Sequence, residues 1–203
     1  YHDQSVLPLS PWLGQYRRVR TYHSLDLETV GRLPIWSQAN RMRGVVSGAI
    51  SSVYPLREQV FRHARRLGLA ALRHPGYHNL ISAPPRYLQT LASFKVHVAP
   101  ASRFGFALRK IIESVAVGTT PITNLPAYDV LPAIDGALVR VPSDITMADL
   151  KGVIDKTATS WRMAERWEWA KRAYEFYDYR IIGERLDALI EKERLCSKSF
   201  VQS

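Results

Sequence analysis

From Gly44 onward, short apolar runs alternate along the chain with segments whose apolar residues recur at helical spacing. Five short runs bounded by turn signals predict strands: residues 44–50, 69–73 and 96–100, a run ending at Thr123, and residues 137–141. Helical spacing predicts helices over 56–67 and 87–94. Strands that alternate with helices in this way favour a parallel sheet with right-handed crossovers, and therefore an α/β fold.

The segment 95–123 reads as strand, glycine-containing loop, helix, turn and strand. Its helix is predicted over 106–117, because apolar residues fall there at helical spacing: Leu108, Ile111, Ile112 and Val115. The loop 101–105 therefore follows the carboxyl end of a strand, which is where open α/β sheets bind their ligands.

Basic side chains surround the start of this predicted helix. A helix N-terminus offers unpaired backbone N–H groups and a partial positive charge to an anion. An anion at Gly105 would meet those groups together with the cations Arg103, Arg109 and Lys110. The sequence thus predicts a phosphate-binding site at this loop. The alternative is that Arg109 and Glu113, four residues apart, form only a surface ion pair.

A further candidate position follows the first predicted strand. Gly48 would let a ligand approach the backbone there, and Arg57, near the first turn of the next helix, would reach a phosphate. The alternative is that Gly48 only permits a turn and that Arg57 is solvated. Both interpretations stay open from the sequence.

The residues from Gly105 onward resemble the donor-site signature of GT-B glycosyltransferases, in particular the group-1 and spore-maturation-type enzymes. The family pattern Glu-Ala-x-Ala-x-Gly-x-Pro-Val is matched by Glu113, Ser114, Ala116, Gly118, Pro121 and Ile122. The resemblance implies that Glu113 binds the nucleotide ribose and that Arg109 and Lys110 lie near the phosphates. Gly105 stands where many retaining members carry a second glutamate, so a retaining or an inverting outcome is left open.

The resemblance covers about residues 44–190, because the stretch GVVSGAISSVYPLR and the spacing Tyr87-x-x-x-Leu91-x-x-x-Lys95 also look like family elements. It implies one half of a GT-B fold, a Rossmann-like parallel sheet flanked by helices with a helical C-terminal extension. The predicted division is an N-terminal extension or remnant of a preceding domain over 1–43, a donor-binding domain over 44–160, and C-terminal helices packed on it over 161–203.

The function implied by this resemblance is transfer of a sugar from a nucleotide-diphosphate sugar to an unknown acceptor, as a hexosyltransferase. The diphosphate would be held by cations, so no metal and no cofactor is expected. No catalytic base is identified, and we expect an N-terminal acceptor-binding domain as partner, with this chain an incomplete and inactive half. The alternative is a non-catalytic nucleotide- or polyanion-binding α/β module, or an α/β enzyme with different chemistry.

Two further features narrow the function classes. The net charge is +10, but the basic residues are dispersed and no nucleic-acid-binding motif is found, so we expect no nucleic-acid partner. The six histidines show no metal-ligand spacing, and His97, between two valines, is predicted to be a hydrogen-bonded core residue.

The segment 160–179 is predicted to be a helix with an aromatic stripe and charges opposite. We expect this stripe to pack on the core, and a peripheral membrane contact is the alternative. Cys196 is the only cysteine, so no internal disulfide forms. No run of residues is long and apolar enough for a membrane span. The expected location is cytoplasmic, and the membrane periphery is the alternative.

Overall fold

The computed structural model describes residues 22–36, 41–73 and 84–200. Its centre is a five-stranded sheet in the order β2-β1-β3-β4-β5, and every neighbouring pair of strands is parallel. The strands are β1 (Met42–Ser47), β2 (Ala70–Leu72), β3 (Phe94–Val98), β4 (Thr120–Thr123) and β5 (Val139–Arg140). The parallel sheet predicted from the sequence is confirmed.

Seven α-helices in the described part of the chain flank this sheet. They are α1 (Leu27–Gly31), α2 (Pro55–Leu67), α3 (Pro85–Ala92), α4 (Arg109–Ala116), α5 (Met147–Ser160), α6 (Met163–Tyr177) and α7 (Tyr179–Phe200), with one 3₁₀ turn at Asp135–Ala137. The α/β, Rossmann-like class is therefore confirmed, including its helical C-terminal part.

Each face of the sheet carries its own apolar core, because successive strand side chains point to opposite faces. Val45 contributes to the core beneath α3, α4 and α6, whereas Val46 contributes to the core beneath α2 and α5. Helix α4, which follows β3, and helix α2, which follows β1, therefore lie on opposite faces. The strand order reverses direction between β1 and β3, and this is the topological switch point of the sheet.

Helix α2 shows how the sequence sets an element's bounds. Pro55 stands at its first turn, where the missing N–H costs no helical hydrogen bond. Gly68 ends the helix with a φ of 67°, a left-handed conformation that glycine adopts without steric cost. Arg57 points inward from this helix and is buried although it is charged.

Residues 22–36 pack against the domain rather than projecting from it. Leu25, Val30 and Ile35 are buried in the same core as α3 and α4. The backbone N–H of Leu25 donates to the carbonyl of Tyr177 at 2.8 Å, and the N–H of Tyr179 donates to the carbonyl of Leu25 at 3.0 Å. The rest of the predicted 1–43 extension lies largely outside the described residues, and the division of the chain into domains stays a prediction.

The aromatic helix predicted over 160–179 is α6. Its inward face packs on the core: Ala170, Ala173 and Tyr177 are buried, and the Tyr174 hydroxyl donates to the Ala116 carbonyl at 2.7 Å. The Trp167 side chain is 39% exposed. Within residues 22–36, 41–73 and 84–200, no helix is both long and apolar enough to pass through a membrane.

Candidate functional site

A cavity of about 670 Å³ opens at the carboxyl edge of the sheet, beside the switch point. It lies between the chain that leaves β1 and β2 and the first turn of α4. The residues that line it are His23, Gly48, Ala49, Ile50, Tyr54, Arg57, Arg73, Leu108, Arg109 and Lys110. Switch points at the carboxyl edge are where ligands bind in open α/β sheets, so this cavity is the candidate functional site.

Gly48 forms the wall of the cavity directly after β1. Its φ is 127°, a conformation that side chains other than that of glycine rarely adopt. A Cβ atom at this position would collide with Nζ of Lys110 and would lie 3.0 Å from Nη1 of Arg57. The absence of a side chain therefore lets two cations approach the same stretch of backbone.

Arg57 is held rigidly in the wall of this cavity. The residue is 1% exposed, and its guanidinium donates to the carbonyl of Ala49 at 3.3 Å and to that of Pro100 at 3.2 Å. Its Cζ atom lies 3.9 Å from the centroid of the Tyr54 ring. The alternative that Arg57 is solvated is wrong, because β1, β3 and Tyr54 enclose it.

Lys110 reaches the same place from the opposite face of the sheet. It is 8% exposed, and its Nζ atom donates to the carbonyl of Ser47 at 3.4 Å. Burial lowers the pKa of Lys110 to about 7, Arg57 acts in the same direction, and Glu113 opposes the shift. Lys110 is therefore only partly protonated near pH 7, and an anion that enters the cavity would raise its pKa and increase its charge.

Glu113 lies one turn further along α4 and is fully buried. The alternative that Glu113 and Arg109 form only a surface ion pair is therefore wrong, because a surface pair requires an exposed carboxylate. Glu113 does not line the cavity, and it acts on the site through its charge, which favours the protonated form of Lys110.

Two of the predicted site residues lie on the loop before α4 and outside the cavity lining. Arg103 is exposed, with its guanidinium 4.9 Å from the centroid of the Phe104 ring. Gly105 has a φ of 71°, and a Cβ there would meet Pro126 at 3.2 Å and Tyr128 at 3.6 Å. The structure brings Gly48, Arg57, Arg109 and Lys110 together at the cavity. Gly105 instead faces the chain that follows β4, and Arg103, whose backbone N–H donates to the Val53 carbonyl at 2.8 Å, does not line the cavity.

The predicted bounds of the α4 helix are wrong at its start. Helix α4 begins at Arg109, three residues later than the predicted Phe106. Leu108 is extended, and the N–H of Ala107 donates to a carboxylate oxygen of Asp129 at 3.1 Å, which holds this stretch outside the helix. The helix N-terminus therefore lies at Arg109 and Lys110, four residues beyond Gly105.

Two basic residues of the cavity, Arg73 and His23, were not predicted from the sequence. Arg73 follows β2, and the signal was available because it ends the second predicted strand at the same edge. His23 comes from the segment before β1, where no motif pointed to it. Desolvation lowers the pKa of His23, nearby Arg109 acts in the same direction, and a hydrogen bond with the Ala107 backbone opposes the shift.

A buried network of hydrogen bonds joins the end of β1 to the start of α4. The Ser114 hydroxyl donates to the carbonyl of Lys110 at 2.6 Å, so its oxygen accepts from Nδ1 of His97 at 2.7 Å, which places a proton on Nδ1. The Ser47 hydroxyl lies 2.9 Å from Nε2 of His97 and 2.7 Å from the hydroxyl of Tyr87. The prediction that His97 is a hydrogen-bonded core residue is confirmed.

Comparison with known proteins adds evidence about the fold. No family model and no curated protein matches this sequence. Among solved structures, the chain is similar to the pneumococcal O-GlcNAc transferase GtfA in complex with UDP and GlcNAc, with a TM-score of 0.53 and 14% sequence identity. The chain has the fold of one half of a GT-B glycosyltransferase.

The extent of this match bears on what can be transferred between the two proteins. It covers 94% of this chain but 44% of the transferase, so the chain spans less than half the length of that enzyme. Sequence identity at this level shows the shared fold alone.

Proposed function

We propose that this chain is the donor-binding half of a glycosyltransferase and binds a nucleotide-diphosphate sugar in the cavity at the carboxyl edge. The observation that carries the proposal is the convergence of Arg57 and Lys110 on Gly48. Two buried cations reach one glycine from opposite faces of the sheet, at the switch point where such folds bind ligands.

The chemistry of sugar transfer accounts for this pair. As the bond between sugar and diphosphate breaks, negative charge grows on the leaving diphosphate, and fixed positive groups lower the free energy of that transition state. Arg57 and Lys110 are fixed in this sense, because each is buried and bound to backbone carbonyls. The N-terminus of α4 adds backbone N–H groups beside them.

The remaining residues in and beside the cavity are assigned to different parts of the proposed ligand. Arg109 and Arg73 widen the basic surface around the phosphates, and Gly48 lets the ligand approach the backbone. Glu113 raises the pKa of Lys110 and so favours its protonated form, and the ribose contact implied by the family signature stays a prediction for Glu113. With four cations lining the cavity, we propose that the donor binds without a metal ion.

We propose that activation of the acceptor requires a second domain. The neighbouring transferase is more than twice as long as the matched region, and no residue of this cavity is assigned as the base that activates an acceptor. We therefore propose that an acceptor-binding domain faces the carboxyl edge. Membership of the group-1 or spore-maturation-type enzymes and the stereochemical outcome stay predictions from the sequence signature.

Calorimetric titration tests the donor site. UDP is the first probe, because the neighbouring transferase was solved with it, and uridine is the matched ligand without phosphates. We expect saturable binding of UDP in the presence of a metal chelator, and affinity at least about tenfold lower for Lys110→Met, the scale for one hydrogen bond to a charged group. Uridine affinity should not change in this variant.

Arg103→Met is the matched control, because it removes a basic side chain that lies outside the cavity lining. It should bind UDP like the unaltered protein. A response to heparin but to no nucleoside diphosphate would instead support the polyanion-binding alternative. Rapid sugar transfer by the 203-residue chain alone would contradict the proposal that it supplies only one half of the enzyme.

A further inference from the structure

A second cavity, of about 440 Å³, opens at the opposite edge of the sheet. It lies among the first residues of β4 and β5, the last turns of α5 and the first turn of α6. Its lining includes Thr120, Lys156, Thr157, Ser160, Trp161 and Arg166, and it shares no residue with the donor cavity. The proposed function makes no use of it.

Arg166 is the most unusual residue of this second cavity. Its side chain is 11% exposed, and its Nε atom is buried with no hydrogen-bond partner among the described residues. Its ion-pair partner is the adjacent Glu165, whose side chain is 54% exposed. A largely buried guanidinium that the protein satisfies only in part is costly, and an anion in the adjoining cavity would offset that cost by neutralising its charge.

Two neighbouring groups add positive charge to the same cavity. Helix α6 begins at Met163 without a side-chain cap, so the N–H groups of its first turn receive no side-chain acceptor and carry the positive end of the helix dipole. Lys156 is exposed and forms no ion pair within the described part of the chain. The one carboxylate that lines this cavity is that of Glu165.

The other walls of the second cavity suit a ligand that carries hydroxyl groups. The Thr157 hydroxyl donates to the Val153 carbonyl at 2.8 Å, and the Ser160 hydroxyl donates to the Thr157 carbonyl at 3.3 Å. Each hydroxyl oxygen therefore keeps lone pairs that accept from a ligand. The volume exceeds what a phosphate ion alone would fill, and Trp161 adds an apolar surface.

We propose that the second cavity binds a small sugar phosphate. Its phosphate would lie between Arg166, Lys156 and the start of α6, and its hydroxyl groups would donate to Thr157 and Ser160. This site is separate from the donor cavity, and it does not depend on the activity proposed above.

Nuclear magnetic resonance of the whole 203-residue chain tests this proposal, with glucose 1-phosphate as the probe. The reporter is the indole N–H of Trp161, which donates to the Gly118 carbonyl at 3.1 Å and is assigned with a Trp161→Phe variant. We expect a saturable shift of this signal in the presence of excess UDP. Glucose should produce no shift, because it lacks the charge, and inorganic phosphate should bind more weakly.

Charge variants locate the binding site. Lys156→Gln should weaken glucose 1-phosphate binding about fivefold and Arg166→Gln at least about tenfold, because both remove charge-assisted hydrogen bonds. Lys151→Gln is the matched control, since it makes the same change on α5 outside the cavity. If Arg166→Gln fails to fold, Lys156→Glu replaces it as the test, because this exposed position tolerates substitution. The variant reverses the charge at position 156 and should weaken glucose 1-phosphate binding more than Lys156→Gln does.

Three results would overturn the proposal. The first is the lack of a saturable shift at millimolar glucose 1-phosphate, and the second is equal affinity in Lys156→Gln and Lys151→Gln. The third is loss of the shift when UDP is added, which would place the sugar phosphate in the donor cavity. A chain that fails to bind UDP but still shows a Lys156-dependent shift would contradict the proposed function and support this second site.

Discussion

The two edges of one sheet carry cavities with basic linings, and they are built in different ways. At the carboxyl edge, Arg57 and Lys110 are 1% and 8% exposed, and each is fixed by hydrogen bonds to backbone carbonyls. At the amino edge, Lys156 is exposed, and the ion-pair partner of Arg166 within the described part of the chain is the exposed carboxylate of Glu165. The first cavity is organised before a ligand arrives, whereas the second would need its ligand to complete it.

The contrast shows that a cation's position in the fold determines how many backbone acceptors are available to fix its side chain. The carboxyl-edge pair lies where helices from both faces meet the ends of two adjacent strands, so backbone carbonyls lie within hydrogen-bond distance of both side chains. The amino-edge residues belong to α5 and the first turn of α6, at the periphery of the sheet. We expect the carboxyl edge to discriminate by geometry and the amino edge mainly by charge.

The largest effect should come from Arg57→Ala. We expect UDP affinity to fall at least about 100-fold, because a buried cation that backbone carbonyls already hold in place loses little conformational freedom when the ligand binds. Stability should also fall, since the carbonyls of Ala49 and Pro100 lose their donor. Calorimetry and urea denaturation measure the two effects.

Lys156→Ala is the corresponding change at the amino edge, and its UDP affinity should equal that of the unaltered protein. Arg57→Lys provides a second test if Arg57→Ala fails to fold, since it keeps the charge but loses the planar group that reaches two carbonyls. Unchanged UDP affinity in both Arg57 variants would remove this residue from the donor site.

A smaller effect is expected from Gly48→Ala. The φ of 127° strains an alanine by about 1–3 kcal/mol, and the new methyl group would displace the ammonium of Lys110. Urea denaturation should show the loss of stability, and UDP affinity should fall about tenfold, the scale for disturbing one charged hydrogen bond. Gly152→Ala, on α5 with no atom within 4 Å of the new Cβ, should be neutral or stabilising. Equal stability of the two variants would contradict the geometry at Gly48.

The pH dependence of UDP binding sharpens the comparison further. Lys110 has a pKa of about 7 in the free protein, and the bound phosphates should raise that pKa, so binding takes up a proton. UDP affinity should therefore fall about fivefold from pH 7.5 to 8.5, where the phosphates are already ionised. Lys110→Met should remove this slope, and a slope that survives in the variant would assign the proton to another group.

Lys110 also makes the free energy of unfolding depend on pH, in a direction that its lowered pKa determines. The pKa of Lys110 is lower in the folded protein than its ordinary value of 10.5, so the unfolded chain binds more protons between about pH 7 and pH 10.5. The contribution of Lys110 to the free energy of unfolding should therefore increase as pH rises through this window. Comparison of the unaltered protein with Lys110→Met by urea denaturation at several pH values isolates this contribution.

The smallest effect is expected from Glu113→Gln. Loss of this carboxylate lowers the pKa of Lys110 further, so UDP affinity at pH 7 should fall about threefold while uridine affinity stays constant. Glutamine has nearly the same volume, which limits any change in packing. Equal losses for UDP and uridine would instead support the ribose contact that the family signature implies.

The sequence predicted the sheet because its signals are local. Short apolar runs and helical spacing identify β3, α4 and β4 without knowledge of any distant residue. Parallel pairing then places the carboxyl ends of these strands at one edge, where four residues predicted from the sequence, Gly48, Arg57, Arg109 and Lys110, line the cavity. Their role in ligand binding stays a prediction.

The errors all depend on contacts between residues far apart in the chain. The start of α4 is delayed by Asp129, which lies 22 residues after the Ala107 N–H that it accepts. Gly105 lies against Pro126 and Tyr128 of the chain that follows β4 and is outside the cavity lining. His23 reaches the cavity because residues 22–36 pack on the domain, and no local pattern predicts that packing.

The bridge at Leu25 has a consequence for how the molecule opens. This one residue donates to the carbonyl of Tyr177 and accepts from the N–H of Tyr179, so it is bonded on both sides of the joint between α6 and α7. The segment before β1 and the C-terminal helices are thereby joined into one cooperative unit. The amides of Leu25 and Tyr179, distant in sequence, should exchange their hydrogens for deuterium at a common rate, because a single opening event exposes both.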